Sequence, residues 1–186
     1  NGIPFFSDAA NNSMYTHDVS GTDSTAAGNT AYGFNALAVV TGGDFNTTIG
    51  YLSGTAISSG LNNTLMGYAS GDALTTGSDN VAIGYAALSV EDTGAKNTAI
   101  GKSALNALNF DGDGWNVAVG YEAGKVVSTG IKNTSIGART MQATTVGQEN
   151  VALGYQAMYT NVDGSKCVAI GANALLTQDP ASAVDM

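Results

Sequence analysis

The sequence is poor in the residues that most often do chemistry. Its 186 residues hold one Cys, Cys167, and one His, His17. A single Cys rules out an intrachain disulfide and any multi-Cys zinc site, and a single His rules out a His-cluster metal site. Cations are scarce: six Lys and Arg face 15 Asp and Glu, a formal charge of −9. Nucleic-acid binding relies on a basic patch that neutralises phosphates, and six scattered cations make none. Charged residues are 11% against 44% hydrophobic, the reverse of the composition that keeps a chain disordered. Pro occurs only twice, too rarely for a Pro-rich linker. No apolar run approaches the roughly 18 residues that a membrane helix needs. There is neither an initiator Met nor a signal-peptide pattern, and Asn1 is expected to be a processed end or a boundary within a longer chain.

What the chain has is Gly, 25 residues of it, in register. Five-residue signatures run Asn29–Gly33, Asn46–Gly50, Asn63–Gly67, Asn80–Gly84 and Asn97–Gly101, one every 17 residues. Asn116–Gly120 follows after 19, and Asn133–Gly137, Asn150–Gly154 and Cys167–Gly171 return to 17. The fifth place is Gly in all nine copies, the second is Thr or Val in all nine, and the first is Asn except at Cys167. This is a repeat array, and it decides the fold class.

Each place in the repeat has a physical reading. The run Thr/Val–Ala–Ile is short, β-branched and alternating, which is strand chemistry. The second and fourth places share a face. The fourth is Tyr32, Ile49, Met66, Ile83, Ile100, Val119, Ile136, Leu153 and Ile170, so that face is expected to point inward. The small third place, mostly Ala or Ser, is then expected outside, as a flat strip. Gly at the fifth place suits a sharp corner, and Asn at the first tolerates left-handed backbone at the preceding one. The Asn side chains are expected to hydrogen-bond along the stack. Cys167 reads as a corner substitute.

A second half-repeat follows each corner, as in Asn35-Ala-Leu37, Ala86-Ala-Leu88 and Ser103-Ala-Leu105. Two short strands per 17 residues describe one rung of a parallel β-solenoid, and nine or ten rungs at about 4.8 Å give a rod roughly 45 Å long. A helical repeat is disfavoured, because Gly at every seventeenth position would interrupt each helix. Residues 1–28 are expected to hold an N-terminal segment and a degenerate capping rung aligned on Asn12-Ser-Met-Tyr15. Residues 29–175 form the repeat domain and 176–186 a C-terminal tail, where Pro180 discourages further pairing. The apolar Ile3–Phe6 stretch reads as a flap over the first rung or a strand donated to a neighbour, and end-to-end stacking of rods is a live possibility.

The run Asn97-Thr-Ala-Ile-Gly-Lys-Ser-Ala-Leu105, echoed at 29–37, 80–88 and 167–175, resembles the head-domain β-roll repeats of trimeric autotransporter adhesins of the YadA type and of related bacteriophage tail-fibre proteins. The resemblance covers about residues 29–175. It implies a left-handed parallel β-roll, three copies side by side, and a role in fibres or adhesion. The adhesin rung is commonly shorter than 17 residues, so a longer outer loop is implied here. The adhesin's coiled-coil stalk and membrane anchor and the tail fibre's chaperone domain have no counterpart in this sequence. A fragment, a processed product or a self-contained subunit is therefore expected. A homotrimer also has an independent argument. A thin rung buries little per residue, and packing flat strips around an axis would bury more.

Candidate binding residues fall in two groups. The sixth place is Phe34, Tyr51, Tyr68, Tyr85, Lys102, Tyr121, Ala138, Tyr155 and Ala172, an aromatic ladder that either stacks on sugar rings or braces adjacent rungs. The widened rung carries Phe110, Asp111, Asp113 and Trp115, a bulge suited to glycan or receptor contact, or a tolerated insertion that folds back. Counting from Asp111, Trp115 and Asn116 occupy places where an EF-hand loop needs a ligand and Gly, which argues against calcium despite Glu122 at the twelfth. No metal or cofactor is expected. Cys167 and His17 are too far apart for a nucleophilic pair, no Gly-x-Ser-x-Gly elbow occurs, and no carboxylate pair is singled out, so no enzyme activity is expected.

The expected function is structural and adhesive: an extracellular fibre segment on a virion or bacterial surface. Its partners would be copies of itself and a host glycan or protein receptor, with no nucleic acid and no membrane insertion. A pure spacer or a self-assembling filament subunit is the alternative. Ice binding is more remote, because Thr shares the second place with Val and is expected to point inward. A polysaccharide-degrading spike is the other remote reading.

Overall fold

The computed structural model of the chain describes residues 6–8, 13–15 and 25–177. Eleven three-residue strands form one sheet in sequence order. They are β1 (Phe6–Asp8), β2 (Ser13–Tyr15), β3 (Thr30–Tyr32), β4 (Thr47–Ile49), β5 (Thr64–Met66), β6 (Val81–Ile83), β7 (Thr98–Ile100), β8 (Val117–Val119), β9 (Thr134–Ile136), β10 (Val151–Leu153) and β11 (Val168–Ile170). From β2 onward every neighbour is parallel, and equivalent places of successive signatures lie side by side, Val81 against Thr98 and Ile83 against Ile100. The chain is an all-β solenoid, one turn per repeat. Among the described residues there is no helix, so none long and apolar enough to cross a membrane.

The corner before each strand from β3 to β10 is built by Asn, but the left-handed residue expected there is the one before it, such as Asp79 at φ +59° and Lys96 at +63°. The Asn63 Oδ1 accepts the N–H of Asn80 at 3.0 Å, and its Nδ2 donates to the Gly77 carbonyl at 2.8 Å. The same pair of bonds recurs at Asn46, Asn133 and Asn150. Each amide thus satisfies a buried donor in the next rung and a buried carbonyl in its own. The Gly corner after each strand is equally constrained. At Gly84, φ is +136°, and a Cβ there would run into the Gly101 carbonyl of the next rung.

The structure inverts the expected faces of the strand. Residues at the third place are buried: Ala31, Leu65, Ala82, Ala99, Ala118 and Ala152 are at most 1% exposed. The second and fourth places point outward and are half-buried or exposed throughout, up to 61% at Val168 and 66% at Ile170. The reason is the width of the rung. The third place shares a thin interior with Leu37, Leu88 and Leu105 at the ninth and Val40, Ile57, Leu74 and Leu108 at the twelfth, which leaves room for little beyond a methyl group. β-Branched residues stand where volume is unrestricted. Hydrophobicity alone misassigned the face, because exposed apolar residues are ordinary on protein surfaces. The Thr side chains therefore face outward, which removes the ground on which ice binding was discounted.

Where the third place is large, the ninth is small. Leu65 replaces Ala, and Gly54 and Gly71 replace Leu on either side of it. The Leu65 Cδ1 lies 2.8 Å from a Cβ built on Gly54 and 3.0 Å from one built on Gly71. This is a volume-conserving exchange across two adjacent rungs, Gly71 lying in the rung of Leu65 and Gly54 in the one before.

Two further expectations are corrected. The second half-repeat is a turn, not a strand. Its seventh and ninth places have left-handed backbone even without Gly, with φ of +50° at Ala86 and +54° at Leu88. Rung-to-rung bonds such as Leu88 N–H to the Ala104 carbonyl, and the buried Leu side chain itself, offset that strain. The first rung is real but aligned one residue later than expected. Met14 pairs with Thr30 and Tyr15 with Ala31, and the Ser13 hydroxyl accepts the Asn29 N–H as an Asn would. Ahead of it, β1 lies antiparallel on β2, so Phe6 belongs to a strand on the end of this chain's own sheet. Residues 1–5, including Ile3, and the tail from 178 lie outside the described residues, as does His17.

Candidate functional site

Three surfaces flank the sheet. The first is its outer face, with two side chains per rung, apolar except for the hydroxyls of Thr and of Tyr32. Over the eight steps from β3 to β11 it runs roughly 40 Å, a continuous exposed apolar strip of the kind that marks an interaction surface.

The second is the sixth-place border beside the Gly corners. Phe34, Tyr51, Tyr68 and Tyr85 follow one another with ring centroids 6.0, 5.6 and 5.1 Å apart, the first and last pairs stacked and the middle pair tilted by 42°. Lys102 continues the column, its Nζ 5.5 Å from the Tyr85 ring and 5.7 Å from the Tyr121 ring. Ala138 leaves a gap, and Arg139 fills it by laying its guanidinium 5.7 Å from the Tyr121 centroid. Tyr155, between Ala138 and Ala172, makes no ring contact among the described residues. Stacking consumes the faces of Tyr51, Tyr68 and Tyr85 and leaves their edges and hydroxyls to solvent. The column is suited to bracing rungs and to edge-on contact, and poorly suited to face-on stacking with sugars.

The third is the opposite border, the residue before each corner Asn, and it includes the widened rung. Trp115 sits in this regular column and is 53% exposed. Lys96, one rung earlier, lies 4.6 Å from the Trp115 ring and pairs with Asp113 at 2.6 Å. Lys132 pairs with Glu149 at 3.6 Å. The inserted residues do not all project outward. Phe110 packs against the core, and Asp111 accepts a hydrogen bond from the Thr93 hydroxyl. Asp113 is taken by Lys96, and among the described residues no cluster of three or more His, Cys, Asp or Glu forms a metal site. Cys167 is buried, with its backbone N–H bonded to Asn150.

Two acids matter that residue type alone did not single out. Glu91 is fully buried at the twelfth place, between Leu74 and Leu108 of the neighbouring rungs. Its Oε1 accepts the Gly94 N–H at 2.8 Å and its Oε2 the Phe110 N–H at 3.2 Å. It thereby anchors the start of the insertion. Burial pushes its carboxyl above the usual range, against the pull of those backbone donors. Its spacing of 17 residues from both leucines was the available signal. Glu122 is buried beside Tyr121 and joins Lys125 at 2.8 Å and Arg139 at 3.3 Å. The hydrogen bond from Lys125 leads in holding its carboxyl low.

Comparison with protein-family models, curated proteins and solved structures gave no match.

Proposed function

We propose that the chain is a structural and adhesive fibre segment, of a phage tail fibre or a cell-surface adhesin, built from three copies and presented outside the cell. The observation that supports this reading most is the outer sheet face, nine successive rungs of half-exposed or exposed apolar and Thr side chains. Packing these faces around a common axis would withdraw them from water at about 25 cal/mol per Å², and symmetric homo-oligomers are the commonest assemblies. Light scattering is expected to return the mass of three chains. Ile83→Lys with Ile100→Lys should reduce it to one chain while leaving the circular dichroism unchanged. A single-chain mass for the unaltered protein would overturn the trimer.

Host contact is assigned to the widened rung. Asn109→Ala with Asp111→Ala, both exposed on the insertion, should weaken binding to host cells or glycan, and unchanged binding would favour a pure spacer or an end-to-end filament subunit. In this reading the segment has no catalytic activity, and release of reducing ends from a host polysaccharide would overturn that.

A second reading rests on one observation. Thr30, Thr47, Thr64, Thr98 and Thr134 stand on the outer face in one column, the regular hydroxyl-bearing surface an ice-binding protein needs. It requires this face to be wet. A monomer with measurable thermal hysteresis would favour it, and a trimer closed on the sheet face would exclude it.

A further inference from the structure

The sheet face has two borders of different chemistry. On one stand Tyr85, Lys102 and Tyr121; on the other stand Asp79, Lys96, Trp115 and Lys132. Three strand residues with a corner at each end separate them, a span of roughly 15–20 Å, so they cannot meet within one chain. A ring of copies about an axis parallel to the rod, with the sheet faces turned inward, sets the first border of each copy against the second border of the next. Such a ring allows no axial slip, because symmetry-related residues stay at one height. A sixth-place side chain therefore has two candidate partners on the neighbour. One is the border residue that opens its rung, as Asp79 does for Tyr85; the other closes it, as Lys96 does.

Charge separates the two registers. In the opening register Lys102 meets Lys96, and Arg139 meets Lys132. In the closing register Lys102 meets Trp115, whose ring already carries Lys96 at 4.6 Å with Asp113 pairing that lysine, Arg139 meets Glu149, and Tyr85 meets Lys96. Like charges set against each other select strongly against an interface, whereas a cation over an aromatic face is attracted. Lys102 sharpens the choice. Among the described residues it has no carboxylate partner and is held only by the Tyr85 and Tyr121 rings. We propose that copies of this chain associate with the aromatic border of each docked on the lysine–tryptophan border of the next, in the closing register.

This inference rests on the trimer reading, and one experiment separates their failures. Two double variants share a partner: Tyr68→Cys with Asp79→Cys tests the closing register, and Tyr85→Cys with Asp79→Cys the opening one. All three positions are exposed, and the native Cys167 is buried. Under mild oxidation or with a short bis-maleimide, the first variant is expected to run as a covalent trimer on a denaturing gel and the second as a monomer. Tyr155→Cys with Lys166→Cys repeats the closing test near the other end of the array. Cross-linking of the second variant alone, or of neither in a particle of trimer mass, overturns the seam and leaves the trimer standing. A single-chain mass before cross-linking overturns both.

Discussion

The solenoid has two stretches that share a backbone and differ in filling. From Tyr15 to Val127 the buried residues form one continuous apolar cluster, and from Met141 to Leu175 a second, smaller one. Both carry polar residues at interior places, Thr48, Ser53, Ser70 and Glu91 in the first, but between and within the second they are denser. Ser135 and Thr140 bond each other through their hydroxyls, the Thr144 hydroxyl bonds the Asn161 carbonyl at 2.6 Å, and Asn161 caps the Gly164 N–H at 2.9 Å. The Asn ladder and the strand register continue through both stretches unchanged. Register and core composition are thus separable: corner hydrogen bonds set the first, and the second can be exchanged if every buried polar group finds a partner.

The largest expected effect breaks the apolar stretch. Leu65→Ala empties the space that Gly54 and Gly71 leave open and should cost about 2–5 kcal/mol, near the upper end, as read by chemical denaturation. Adding Gly71→Leu should recover part of the loss, because Leu88 already tolerates the same left-handed backbone. No recovery would mean that the exchange of volume is not what sets the third place.

Next come the corners, where the two stretches should respond alike. Asn63→Ala and Asn150→Ala each orphan a buried N–H and a buried carbonyl, at about 1–3 kcal/mol per unsatisfied group. A much milder loss at Asn150 would show that the polar stretch relies less on its ladder.

Hydroxyls at interior places should then give opposite signs. Thr48 has a buried hydroxyl without a partner, so Thr48→Val should stabilise by about 1 kcal/mol. The Thr140 hydroxyl is bonded to Ser135 and to the Gly137 carbonyl, so Thr140→Val should destabilise by a similar amount. Thermal midpoints measured side by side check both.

The smallest effect is on pH dependence. Glu91 has its folded pKa raised by burial, so its contribution to stability is fully present below the ordinary carboxylate range and is lost as pH rises through the folded value. Glu122, held low chiefly by Lys125, contributes above the ordinary range and loses that contribution on acidification. Glu91→Gln should therefore remove a gain in stability as pH falls from neutral toward about 4.5. Glu122→Gln should remove a loss over the acid range. Denaturation midpoints across that range distinguish the two.

Much of this was legible along the chain. Gly at nine fifth places and Asn at eight first places locate both corners of every full rung, and β-branched residues between them locate the strands. The direction of the strand faces was not legible, because Ala and Ile are both apolar and only the thickness of the rung decides which fits inside. The second half-repeat misled for a related reason: Ala-Leu has no turn signature, and its left-handed backbone is stabilised by bonds to the next rung. Among the candidate residues, Tyr51, Tyr68 and Tyr85 do come together, while Phe110 turned inward and Tyr155 stands apart. Those outcomes depend on neighbours one rung away.

The one-dimensional pattern by itself determined the parallel stack and its 17-residue period, since Asn and Gly recur wherever each rung must meet the next, the Asn amide bonding the following rung's N–H and the Gly leaving room for its carbonyl. Tertiary structure alone decided which strand face is buried, where Leu65 could replace Ala, and how a carboxylate came to lie among leucines. Each of these is a matter of volume and hydrogen-bond partners supplied by other turns of the chain.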